Sequence, residues 1–260
     1  MKILFTIGSL WLLCMHTLYA QVAQEDSTAT SPFTYTIQGN LVGSRLSGTF
    51  NQLAIAPSAD VRLEVGKWHF HNALSYRYNQ FNGLLIESNW RELITVGYYP
   101  RSPRLFPFAF YTFDTHLIFQ INRRHSGGLG IGSTQEWKGQ RITLGVGAGF
   151  DNTIYNGDTF ENSPAVNSLR ERNLFIVRLL QTHPLLDGKM TITNDTFYSH
   201  SLRERSDYVI IISPKLSWNI YKGLALTGSF QYRLENVHLT ALTRVNTVTA
   251  IGLSYSASNK

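Results

Sequence analysis

Histidines next to serines and acids are where chemistry would first be sought in this chain. His125-Ser126 and His200-Ser201 each set a general base beside a nucleophile, the pairing that acyl hydrolases use. Successive side chains on a strand point to opposite faces, so a working pair there needs a spacing of two. No His-x-Ser triplet occurs. No catalytic residue is expected.

His69 and His71 have the right spacing to share a face. A tight turn at Gly66-Lys67 would set Glu64 opposite His69 and Arg62 opposite His71. Two imidazoles and a carboxylate suit a metal ion, but Arg62 repels a cation and an inward polar ladder explains the same residues. Neither a metal nor a cofactor is expected. Gly128-Gly130-Gly132 and Gly145-Gly147-Gly149 lack the following helix of a phosphate-binding loop. They read as a smooth strip in a wall, which widens a lumen or lets another segment pack against it. Leu169-Arg170-Glu171-Arg172 and Leu202-Arg203-Glu204-Arg205 repeat one tetrapeptide. Arg170, Arg172, Arg203 and Arg205 are therefore candidates for a cationic extracellular rim that binds lipopolysaccharide phosphates or steers anions. The plainer alternative is solvated loop charge balanced by the intervening Glu.

All these residues sit in a chain that alternates apolar and polar from Phe33 to Tyr255, the period of β-strands. Gly66-Lys67 and Tyr221-Lys222-Gly223 break the runs briefly. Longer breaks come around Gln80–Ser88 and over the polar stretch Asp151–Leu169, with a shorter one at Pro100–Arg104. Short turns alternating with longer loops predict a transmembrane antiparallel up-and-down β-barrel of about 12 strands, with periplasmic turns and extracellular loops. Trp68, Tyr98, Trp137, Trp218 and Tyr221 fall beside the turns; Tyr78, Trp90, Tyr208 and Tyr232 fall toward the loops. Amphipathic rings at both ends of an apolar face favour a membrane over a soluble barrel. Trp68 to Tyr78 spans roughly 25 Å at about 3.4 Å per residue and a tilt near 40°. Pro57 and Pro214 fall in mid-strand, where bulges are the expected accommodation.

Residues 1–20 read as a secretory signal: Lys2, an apolar run, and Ala20 before Gln21. Residues 21–32 read as a disordered leader and 33–260 as the barrel. The single cysteine, Cys14, lies in the signal, so no disulfide or thiolate site is expected in the mature chain. Charged residues are 15% and aromatic residues 13%, while mean hydropathy is −0.12. That balance is too polar for a helical membrane protein and low in charge for a soluble domain. The net charge of +6 is scattered along the chain, which argues against nucleic acid as a partner.

Reading the faces gives the lumen-facing candidates Asp60, Arg62, Glu64, His69, His71, Arg77, Arg141, Arg178, Asp195, Lys215, Arg233 and Glu235. Acids and bases are mixed, and if they pair across the lumen the pore is closed at rest.

The chain resembles the salt-induced outer-membrane proteins, a family of barrel domains without an assigned activity. Val65-Gly66-Lys67-Trp68 with Leu74-Ser75-Tyr76, Gly128-Leu129-Gly130-Ile131-Gly132, and Leu144-Gly145-Val146-Gly147-Ala148-Gly149-Phe150 carry the resemblance. Gly223-Leu224-Ala225-Leu226, Phe230-Gln231-Tyr232-Arg233 and Gly252-Leu253-Ser254-Tyr255 complete it. It implies a bacterial outer-membrane location, contact with outer-membrane lipid and lipopolysaccharide, and handling by the barrel-insertion machinery. That machinery reads a terminal aromatic in the family, and here Ser256 to Lys260 follow Tyr255. The function expected is a narrow channel for small solutes or an envelope-stress barrel. The alternatives are a lipid-modifying acyl hydrolase and a non-catalytic structural or surface-binding barrel. For the hydrolase, His125-Ser126-Gly127-Gly128 loosely resembles the His-x-Ser-Asn-Gly of the outer-membrane phospholipases.

Overall fold

The computed structural model describes residues 33–46, 51–99, 105–117, 119–157, 159–161, 168–240 and 242–259. The expected signal, the leader and the Pro100–Arg104 break lie outside them. The strands are β1 (Phe33–Leu46), β2 (Gln52–Val65), β3 (Trp68–Phe81), β4 (Leu84–Tyr98), β5 (Phe106–His116), β6 (Ile121–Trp137) and β7 (Gln140–Tyr155). They continue as β8 (Phe160–Glu161), β9 (Leu169–Leu185), β10 (Met190–Ser201), β11 (Tyr208–Tyr221), β12 (Leu224–Glu235), β13 (His238–Leu239) and β14 (Val245–Ser258). All but β8 and β13 close into a twelve-stranded antiparallel barrel, with β1 pairing both β2 and β14. The two short strands pair with each other.

The alternation has a physical cause visible in burial. Leu129, at 70% exposure, and Ile251, at 68%, stand on the outside of the wall among many other exposed apolar side chains. A soluble protein does not display apolar surface on this scale, whereas a bilayer demands it. Closure also removes every sheet edge, the condition for a sheet to cross hydrocarbon. Aromatic rings mark the limits of this band: Trp68 packs on Tyr98 at 4.8 Å near the turn end, and Tyr76 on Trp90 at 4.5 Å toward the loop end.

Three expectations about the chain path are corrected. Neither proline needs a bulge. Ile55↔Tyr78 and Ser58↔Ser75 hold one register across Pro57, and Ile212↔Tyr232 and Lys215↔Ser229 do so across Pro214. Each proline still pairs on its other side, Pro57 with Leu41 and Pro214 with Asn194, so a gap in one of the two ladders replaces a shift. The break around Gln80–Ser88 shrinks to Asn82-Gly83, both at positive φ, the geometry of a two-residue hairpin. Finally, Asp151 to Tyr155 belong to the wall as part of β7, not to the following loop.

Candidate functional site

Inside the barrel, β5, β6 and β7 build a wall of unusual thinness. Inward Phe106, Phe108 and Phe110 pair with Gly132, Gly130 and Gly128 on β6. A Cβ at Gly130 would lie 2.6 Å from the Phe108 ring, and one at Gly128 would lie 2.7 Å from Phe110. The glycine strip thus has its role: it receives the three rings of the neighbouring strand, which lie against the wall instead of filling the lumen.

Continuing the inward face of β7 past Gly149 leads to Asp151 and Thr153, and that of β6 past Gly128 leads to Ser126 and Arg124. Here the lumen is closed. Arg124 Nη2 donates to Glu235 Oε1 at 3.2 Å, although β7, β9, β10 and β11 separate β6 from β12 around the barrel. Arg124 also lies 3.6 Å from Asp151 and 4.0 Å from Asp114. Arg172 bridges Asp151 at 2.8 Å and Asp207 at 3.0 Å; Arg170 meets Asp207 at 2.6 Å, and Arg233 meets Glu235 at 2.7 Å. Ser126 and Thr153 hydroxyls donate to Asp151. Buried charge is tolerated when it is paired, and every charged side chain of this cluster has an opposite charge within 4.0 Å.

Above this clasp sits an apolar lid. Phe119, Ile121, Tyr155 and Leu239 form a buried core with Phe160 and Leu242 packed against it. It is tied down by Arg233, 4.6 Å over the Phe119 ring, and by Arg124 donating to the Tyr155 hydroxyl. Below the clasp, the lumen opens progressively. Side-chain exposure rises from 2% at Asp207 through 41% at Asp195 to 62% at Arg62 near the turns. Among the described residues, the barrel is therefore a cup, sealed at the loop end and open toward the turn end.

The sequence-derived candidates fall into three tiers of this cup. Nearest the turns, His69 lies 3.5 Å from Glu64, His71 Nε2 lies 2.6 Å from Asp60, Arg62 donates to Asp60 at 3.0 Å, and Arg141 lies 3.6 Å from Glu136. Glu64 pairs with His69 and Arg62 with His71 in register. In the middle tier, Arg178 makes a two-pronged contact with Asp195 at 3.0 and 2.7 Å, and Lys215 donates to Asn40 at 3.2 Å. Arg233 and Glu235 belong to the clasp, while Arg77 lies 3.9 Å from Glu87 toward the loop end of β3. Two rim candidates are corrected. Arg170 and Arg172 are buried inward in the clasp, because the alternation of β9 carries Leu169 and Glu171 to the outside. Arg203 and Arg205 lie beyond β10 and are exposed.

His125 and Ser126 face opposite ways. The ring Nδ1 of His125 lies 2.6 Å from the Tyr111 hydroxyl on the outside, while Ser126 serves the clasp. His200 Nε2 meets the Arg205 carbonyl, and the Ser201 hydroxyl accepts backbone N–H groups from Arg203 and Glu204. Sequence reasoning missed Arg91, Asp114, Arg124, Asp151 and Asp207. Extending the parity of each glycine triplet along its own strand would have found Arg124 and Asp151. It also missed that Leu93, Leu174, Ile176, Val209 and Ile211 face inward, making the chamber below the clasp half apolar.

No protein-family model and no curated protein matches the chain. Among solved structures it is similar to a NanC porin, with TM-score 0.50 and 10% identity over 85% of this chain and 98% of that one. The translocator domain of the autotransporter NalP from Neisseria meningitidis aligns with TM-score 0.45 and 10% identity, over 96% and 97% of the two chains. At such identities the likeness speaks to fold alone. The architecture is that of the outer-membrane β-barrels.

Proposed function

We propose that this protein is a narrow solute channel of the bacterial outer membrane, closed at rest by the Arg124–Glu235 bridge. The observation that carries the reading is that contact itself. It joins strands on opposite sides of a polar lumen, directly under an apolar lid. The turns and both ends of the barrel sequence lie at one end, which in bacterial single-chain barrels is the periplasmic one. The cup then opens to the periplasm and its lid faces the outside. The resemblance to the salt-induced outer-membrane proteins supports the same location. Exposed Arg203 and Arg205 at the lid end suit phosphates of lipopolysaccharide.

Liposome swelling in a small sugar tests the reading. Vesicles carrying the wild-type barrel should swell slowly, and Arg124→Gln should swell faster because the bridge is lost. Equal and negligible swelling for both would remove the channel and leave a structural or surface-binding barrel.

A further inference from the structure

The charges around the chamber do not balance, and the imbalance has an address. Six guanidinium groups line or close it (Arg91, Arg124, Arg170, Arg172, Arg178 and Arg233), against the five carboxylates Asp114, Asp151, Asp195, Asp207 and Glu235. Among the described residues, five of the arginines have a carboxylate within ion-pair distance, and Arg91 alone has none. Its cross-strand neighbour Asp114 is also the neighbour of Arg124 on β6, so one carboxylate stands between two cations. Arg91 is exposed to the lumen rather than packed away. Its register partners Ser75 and Asp114 are polar, while the same chamber also carries the apolar side chains Leu93, Phe108, Phe110, Phe197, Val209 and Ile211.

We propose that this chamber binds an amphiphilic monoanion: a free medium-chain carboxylate whose head pairs with Arg91 and whose chain lies on the apolar wall. A planar, permanently charged guanidinium matches a carboxylate in two-pronged geometry. In this half-apolar chamber, apolar surface lies beside convergent polar groups, the combination by which pockets hold small molecules and fix their orientation. The chamber is reached from the open turn end and is blind at the clasp, which suits a ligand entering head first. The inference goes beyond conduction and stands without it, since binding requires no through-passage.

The test is calorimetric titration of octanoate into the full chain in lipid nanodiscs, with empty nanodiscs subtracting partition into the bilayer. Wild type is expected to bind one equivalent, and Arg91→Gln to bind at least about ten-fold more weakly, the scale of one charge-assisted pair. Acetate, which lacks the chain, should bind far more weakly than octanoate. Leu93→Gln should weaken octanoate while keeping Arg91, a second arm if Arg91→Gln fails the heat-modifiable gel shift that reports a folded barrel. Octanoate heats no greater than those of empty nanodiscs, or equal affinity in wild type and both variants, would overturn the proposal. Acetate binding as tightly as octanoate would overturn the role of the wall.

Discussion

Gly130 shows how single residues set the lumen. Its absent side chain leaves room for the Phe108 ring, and a methyl group there would meet both that ring and the Val146 carbonyl at 2.5 Å. Gly130→Ala should therefore lower stability by about 1–3 kcal/mol, the usual cost of overpacking. Gly39→Ala, with nothing within 4 Å of the added carbon, should leave it nearly unchanged. Urea unfolding from lipid bilayers distinguishes the two, and equal effects would refute the packing account. The sequence displayed both partners, three glycines and three phenylalanines at period two. It could not display that they face each other, because Leu105, Tyr111 and Phe113 made the polarity of β5 ambiguous. Arg91 escaped notice for a related reason. It sits between Trp90 and Glu92 on a strand whose outward face also carries a charge, so each face mixes charged and apolar residues and neither stands out as the inward one.

That charge belongs to a feature of the β3–β4 pair as an element. Glu92 stands opposite outward-facing Leu74, and Asn72 donates to it at 3.0 Å. Asn72 is midway between the girdle residues Trp68 and Tyr76 along β3. An acid on the lipid face costs up to about 2 kcal/mol, relieved here by one amide. Replacing both, as Asn72→Leu with Glu92→Leu, should raise the temperature at which the barrel loses its compact gel mobility. A lower temperature would mean that the pair makes a stabilising contact. At this scale, strand number, pairing order and the Gly66-Lys67 register were legible, since period two and turn residues are local signals. The long-loop expectation failed at Asn82-Gly83, a strong hairpin dipeptide set directly between Phe81 and Leu84, because the polar pairs Asn79-Gln80 and Glu87-Ser88 farther out imitate the ends of a loop. The proline bulges failed because the barrel tolerates a missing pairing more readily than a shifted register, which would turn every side chain beyond it to the wrong face.

At the scale of the whole barrel, closure of the loop end depends on contacts between residues far apart in sequence. Membrane character was legible because lipid and water impose opposite demands on the two faces of each strand. The clasp was not, since nothing local says that Arg124 reaches Glu235 or that Arg170 and Arg172 turn inward to Asp207. Such pairings emerge only when twelve strands close and their inward charges share one low-dielectric space, where breaking a pair costs about 3–5 kcal/mol. The most direct measurement is single-channel recording in planar bilayers of the wild type beside Glu235→Gln. A clasped channel predicts rare, small openings for the wild type and frequent, larger ones for the variant. No conductance steps from either protein in any salt would contradict it.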